Sequence, residues 1–259
     1  MNLWSVIAGA VACSLTSFGE APLPPVVSNV TMAQDNNRLV TITYGIANAP
    51  GIVTLDIQTN GVSIGAENFR NVSGEVNKEV QAGADHTITW RPDKSWQGYK
   101  ADNATAKVCV WDKSAPPDYM TVALATPYEK KWYTCEAALP KGIESDYYRG
   151  DVLLMRRICQ PNDGVWMMGS PSGESGRNKG REVLHQVTLT NDFWIGVFEV
   201  TQRQWEIIKG DRPAEYQGLF RPVEKVSYDT IRGKEADFHY PNEPKSDSFL
   251  GLLRDRHEV

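Results

Sequence analysis

Cysteine is scarce, with four residues in 259. Cys109, Cys135 and Cys159 stand 26 and 24 positions apart, a spacing that excludes a CxxC redox pair or a zinc knuckle. Positive charge is also in short supply: 27 Lys and Arg face 32 Asp and Glu, for a formal net charge of −5. No basic stripe breaks this balance, so the clustered cations that nucleic-acid binding requires are missing. No apolar run reaches the roughly 18 residues of a membrane-spanning helix, so the chain is not expected to be an integral membrane protein. What is present is globular in kind, with 41% hydrophobic and 23% charged residues. The length suits one large or two ordinary domains.

Residues 1–20 combine a short apolar segment with small residues, and Ser17-Phe18-Gly19 offers a cleavage site. This is the pattern of a secretory signal peptide, although no Lys or Arg precedes the apolar part. It predicts a secreted, periplasmic or cell-surface protein. Cys13, after Ala10-Val11-Ala12, leaves lipidation open. Asn29, Asn71 and Asn103 each begin an Asn-x-Ser/Thr triplet, which accepts glycan only in a eukaryotic secretory pathway. In an oxidising compartment Cys109 and Cys135 are a possible disulfide; three buried free thiols are the equal alternative.

Residues 26–112 read as a β-module. Val40, Ile42, Tyr44 and Ile46 alternate onto one face, as do Val53, Leu55 and Ile57, while Ala49-Pro50-Gly51 and Thr59-Asn60-Gly61 turn the chain. Period-two alternation bounded by Gly, Pro and Asn predicts antiparallel strands, and several in close succession predict an immunoglobulin- or fibronectin-like sandwich. Trp90, Trp96 and Trp111 are expected in its core more than on a sugar-binding face. Residues 113–150 show no period and four prolines, and read as a linker.

Residues 151–259 open on a strand and continue into Trp166-Met-Met-Gly-Ser-Pro171 and a glycine- and charge-rich loop. Two more strands follow, His185-Gln-Val-Thr-Leu189 and Phe193-Trp-Ile-Gly-Val-Phe-Glu-Val200, the second running on into Thr201-Gln202. Thr201 and Gln204 form a capping box for a helix that carries Trp205 and Ile208 inward and stops at Gly210. Arg221-Pro-Val-Glu-Lys-Val-Ser-Tyr228 comes next, then an amphipathic helix at 248–257 with Phe249, Leu252 and Leu253 on one face. The loop at 169–180 fails as a phosphate loop because Gly180, not Ser or Thr, follows Lys179. His185, His239 and His257 lack the spacing of helical metal ligands.

The four quoted segments, in this order, resemble the N-terminal half of the formylglycine-generating enzymes, or sulfatase-modifying factors. The resemblance implies an α+β, C-type-lectin-like fold for 151–259. It also implies kinship to copper-dependent oxidoreductases that convert a protein cysteine to formylglycine; complete members hold copper or calcium. The oxidases use a late pair of cysteines with four residues between them, and no such pair occurs here. The expectation is therefore an all-β sandwich followed by an incomplete sulfatase-modifying-factor domain, truncated before its catalytic half and inactive. No catalytic residue, cofactor or metal ligand is assigned in this chain. The alternative is a non-catalytic lectin-like protein that binds a protein or glycan partner.

Overall fold

Val40, Ile42, Tyr44 and Ile46 are nearly inaccessible to water, and so are Val53 and Ile57 facing them. The computed structural model describes residues 23–70, 72–98, 101–160 and 164–257; the expected leader at 1–20, with Cys13, lies outside them, as does Asn71. The first unit contains eight strands: β1 (Val26–Gln34), β2 (Val40–Ala47), β3 (Gly51–Thr59), β4 (Val62–Ser63), β5 (Val72–Gly74), β6 (Lys78–Val80), β7 (Gly83–Trp90) and β8 (Ala104–Trp111), with a short helix α1 (Pro92–Ser95). They form two antiparallel sheets, β1-β2-β7-β5 and β4-β3-β6 with β8 also on β3. A single core joins them, Ile42, Tyr44, Ile88 and Trp90 from one sheet meeting Val53, Ile57, Val80 and Val108 from the other. The expected β-sandwich is thus present in outline. Asn60 and Gly61 both take positive φ (52° and 76°), the conformation a two-residue hairpin between β3 and β4 demands.

Trp90 is buried and stacks near Trp96, with ring centroids 6.3 Å apart, while the Trp111 indole donates to Thr54 Oγ1 at 2.7 Å. Thr54, which alternation puts on the wet face, is buried through this contact.

The second unit begins earlier than the sequence suggests. Residues 113–150 are not a linker, because β9 (Tyr119–Ala123) and β10 (Lys130–Tyr133) are strands of the second unit's main sheet. That sheet runs β10-β9-β11-β14, with β11 (Val152–Ile158) and β14 (Phe193–Gly196), all antiparallel. A separate hairpin pairs β12 (Val165–Met168) with β13 (His185–Thr188). Three helices follow: α2 (Gln202–Lys209), α3 (Tyr228–Arg232) and α4 (Phe249–His257).

The predicted start and stop of α2 are present. Thr201 Oγ1 accepts from the Gln204 amide at 3.2 Å, Gln204 Oε1 accepts from the Thr201 amide at 3.0 Å, and Gly210 ends the helix at φ 80°. Gln204 does more than cap. Its buried Nε2 donates to the Tyr148 and Val152 carbonyls at 2.9 and 3.0 Å, fastening α2 to the start of β11. Gln202, equally buried, donates to the Tyr216 carbonyl at 2.9 Å and accepts from the Gly218 amide at 3.0 Å. Both amides exchange water for two or more partners, which is how a buried polar group is tolerated.

Candidate functional site

Strand direction decides what each face of the β10-β9-β11-β14 sheet presents, since successive side chains point to opposite sides. Tyr119, Tyr133, Val152 and Leu154 share one face, which the segment containing Leu139 and Tyr148 closes into a core. Burial there pushes the Tyr133 phenol up to about 12. The other face carries Lys130 and Trp132 from β10, Met120 and Val122 from β9, Leu153 and Met155 from β11, and Trp194 from β14. The register aligns them in rows: Trp132 opposite Met120 opposite Met155, and Lys130 opposite Val122 opposite Leu153.

Helices cover only part of this second face. Trp205 and Ile208 of α2 and Phe249 of α4 bury Val122, Leu124 and Leu153. The Trp205 and Phe249 rings lie parallel, 5.0 Å between centroids. Beyond them the face opens into a cavity of about 410 Å³. Trp132, Met120, Met155 and Trp194 line it from the sheet, Leu250, Leu253, Arg254 and His257 from α4, and Ile52, Glu79, Lys113 and Pro116 from the side of the sandwich. The Trp132 amide donates to the Asn77 carbonyl at 2.8 Å and ties the sandwich to the sheet there, and beside it Lys113 Nζ pairs with Glu79 at 3.1 Å.

The polar groups of the cavity gather around α4. Arg254 is engaged by Glu243. His257 is buried, its ring meets Tyr128 edge-on at 5.7 Å, and its Nε2 is shielded from water with no hydrogen-bond partner. Burial holds the imidazole below its ordinary value; the Ala123 carbonyl opposes this, and the charges of Lys130 and Arg256 add to it. The ring is therefore neutral at neutral pH. An apolar hollow of this size with a few convergent polar groups is the usual form of a ligand site.

The residues singled out in the sequence do not assemble into chemistry. Cys109, Cys135 and Cys159 are all free thiols, so the possible disulfide does not form. Nor are they three buried thiols, because Cys135 and Cys159 are exposed and Cys109 is half-buried on β8. His185 lies exposed on β13 with Nδ1 2.7 Å from the Val183 carbonyl, His239 packs edge-on against Tyr228, and His257 lines the cavity. Among the described residues no three His, Cys, Asp or Glu side chains are grouped to hold a metal. The copper of complete sulfatase-modifying factors wants soft thiolates held together, and this dispersed donor set does not fit it.

The loop at 169–180 is tied down by Arg177, whose Nε donates to the Ser170 and Glu182 carbonyls at 2.9 and 3.2 Å.

Nothing in the sequence pointed to the cavity. Met120, Trp132 and Trp194 lie in segments with apolar residues on both faces, where alternation vanishes. The one available signal was the pairing of Met120 and Val122 with Trp132 in a stretch otherwise rich in turn residues.

Comparison with known proteins adds one short match. A 46-residue stretch is 54% identical to the chaperone protein LppX of Paenibacillus barcinonensis, covering 17% of this chain and 16% of that protein. The chain thus matches under a fifth of that relative's length. No protein-family model and no solved structure matches the chain. No described helix is long and apolar enough to cross a membrane.

Proposed function

We propose that this chain is an exported protein of sulfatase-modifying-factor type whose second unit binds an apolar ligand and does not itself oxidise cysteine. The observation that carries the reading is the open sheet face, where Met120, Trp132, Met155 and Trp194 surround a cavity of about 410 Å³. Leaving such a face without a partner is costly, at roughly 25 cal/mol per Å² of apolar surface, and a ligand recovers that free energy.

Kinship to the sulfatase-modifying factors is supported by the way two of the resembling segments interlock. The Gln202 amide donates to the Arg221 carbonyl and the Val223 amide to the Val200 carbonyl, each at 2.9 Å. A binding role is supported by the dispersal of Cys109 on β8, Cys135 after β10 and Cys159 just after β11. The glycan alternative has less behind it, since of Trp90, Trp96 and Trp111 the first is buried in the sandwich core and the other two are half-buried.

Two measurements test the proposal together. The purified chain is incubated in air with copper(I) and a sulfatase-derived cysteine peptide, and separately titrated with ANS, an anionic dye that fluoresces in apolar surroundings, alone and as Met120→Trp. The expected outcome is no aldehyde in the peptide, and a dye signal that drops when tryptophan fills the cavity. Aldehyde formation, or a dye signal indifferent to Met120→Trp, overturns it.

A further inference from the structure

We infer that the cavity takes a small amphipathic carboxylate, a single aliphatic chain with an anionic head, its tail along the sheet face and its head at Lys130 and His257. The inference rests on the proposed reading of the cavity as a ligand site and adds the chemistry of the ligand.

The register makes the hollow polar at one end and apolar at the other. Trp132, Met120 and Met155 lie in one row across the sheet, with Trp194 beside them on β14, and Arg157 opposite Trp194 is neutralised by Asp192. Lys130 opens the next row, opposite Val122. His257 sits at the same end, since the Ala123 carbonyl and the Lys130 ammonium both act on its ring.

Two features of this end are unsatisfied. No carboxylate among the described residues pairs with Lys130, in contrast to Lys113 with Glu79 and Lys131 with Glu129. His257 is only 7% exposed, and its Nε2 has no partner. A buried polar atom without a hydrogen bond is costly, and native structures leave few of them. A carboxylate head answers both: it forms a charge-assisted bond with the Lys130 ammonium, and its charge favours the imidazolium of His257, whose Nδ1 stays on the Ala123 carbonyl while Nε2 donates to the head. The Glu79 carboxylate, the other acid on the lining, is neutralised by Lys113 and does not repel the head. A cationic head is disfavoured by Lys130 and by Arg256 near the same end.

The test uses the full chain and three probes of equal chain length and different head: laurate, lauryl alcohol and dodecylamine, each below its micelle concentration. Tryptophan fluorescence reports binding, and a bromine-substituted laurate reports proximity to Trp132 and Trp194. Laurate is expected to bind at least roughly tenfold more tightly than the alcohol, with the amine weakest. Lys130→Glu is expected to abolish the preference for laurate over the alcohol, and Trp132→Phe with Trp194→Phe to remove the bromine quench. Equal affinity for the three heads overturns the amphipathic-carboxylate inference and leaves the apolar site standing. No saturable binding of any probe overturns both. A preference for laurate that persists in Lys130→Glu also overturns the assignment of the head.

Discussion

The two sheets that meet near Ile52 and Trp132 differ in how their faces are closed. In the sandwich each sheet is the other's lid, and the apolar faces of β2, β3 and β7 are buried against one another. In the second unit a single four-stranded sheet must find a cover for each face. One is closed by the irregular segment carrying Leu139 and Tyr148; the other is half closed by α2 and α4 and half left to the cavity. The difference teaches that a fully alternating strand belongs to a sheet with one covered face, and that a strand apolar on both sides needs two covers. When a second cover is incomplete, the result is a binding surface.

The largest expected effect comes from cutting the chain at the wrong place. A fragment beginning at residue 151 loses β9, the strand paired to Val152, Leu153 and Leu154 of β11. Each of these buried side chains contributes about 1.5–3 kcal/mol, so this fragment is expected to aggregate or remain partly unfolded, whereas one beginning at residue 113 melts cooperatively. Calorimetry and sedimentation of the two fragments distinguish them. A soluble, cooperatively melting fragment from 151 onward breaks the claim that β9 is integral to the unit.

Next in size is the contrast between the covered and open ends of one sheet face. Phe249→Ala removes a ring stacked on Trp205 in a closed environment and is expected to cost about 3–5 kcal/mol. Met120→Ala, at the cavity, leaves no new closed void and is expected to cost about 1 kcal/mol. Urea unfolding of both variants measures the gap, and equal losses mean that the cavity end is as well covered as the other.

A smaller effect is expected from Thr201→Ala. It removes the acceptor for the Gln204 amide, a cap usually worth about 0.5–2 kcal/mol, and the hydroxyl's 2.6 Å hydrogen bond to the Arg149 carbonyl. Thr201→Ser is expected to restore most of the loss, and thermal melting of the pair reads it.

The smallest is a pH dependence. His257 is held below its ordinary value of 6.5 when folded, so the unfolded chain binds a proton that the folded ring declines. Stability from this group is complete above 6.5 and falls as pH drops below it. Melting temperature between pH 7.5 and about 5 is therefore expected to slope downward on acidification, and His257→Phe to flatten that slope. A slope unchanged by the substitution places its cause elsewhere.

Much of the first unit and of α2 was legible because the signals are local. Tyr44 or Ile57 declares its face through its neighbours two positions away. Thr201, Gln204 and Gly210 declare a helix through hydrogen bonds within one turn of each end. The assignment of 113–150 failed because Tyr119, Met120, Thr121 and Val122 are buried or half-buried on both sides of β9, and a strand covered twice has no wet face to show a period. The thiols were misread for a related reason. Burial of a cysteine depends on which strand end it occupies, and Cys159 falls just after β11 leaves the sheet.

Sequence alone determined the strand faces of the sandwich, the caps of α2 and the helix at 249–257, each of which rests on backbone hydrogen bonds and side-chain periods spanning fewer than ten residues. Tertiary structure alone decided that Lys130, Trp132, Met155, Trp194 and His257 share one hollow. They come from five stretches of chain and meet only through strand register and helix packing, contacts that no local pattern encodes.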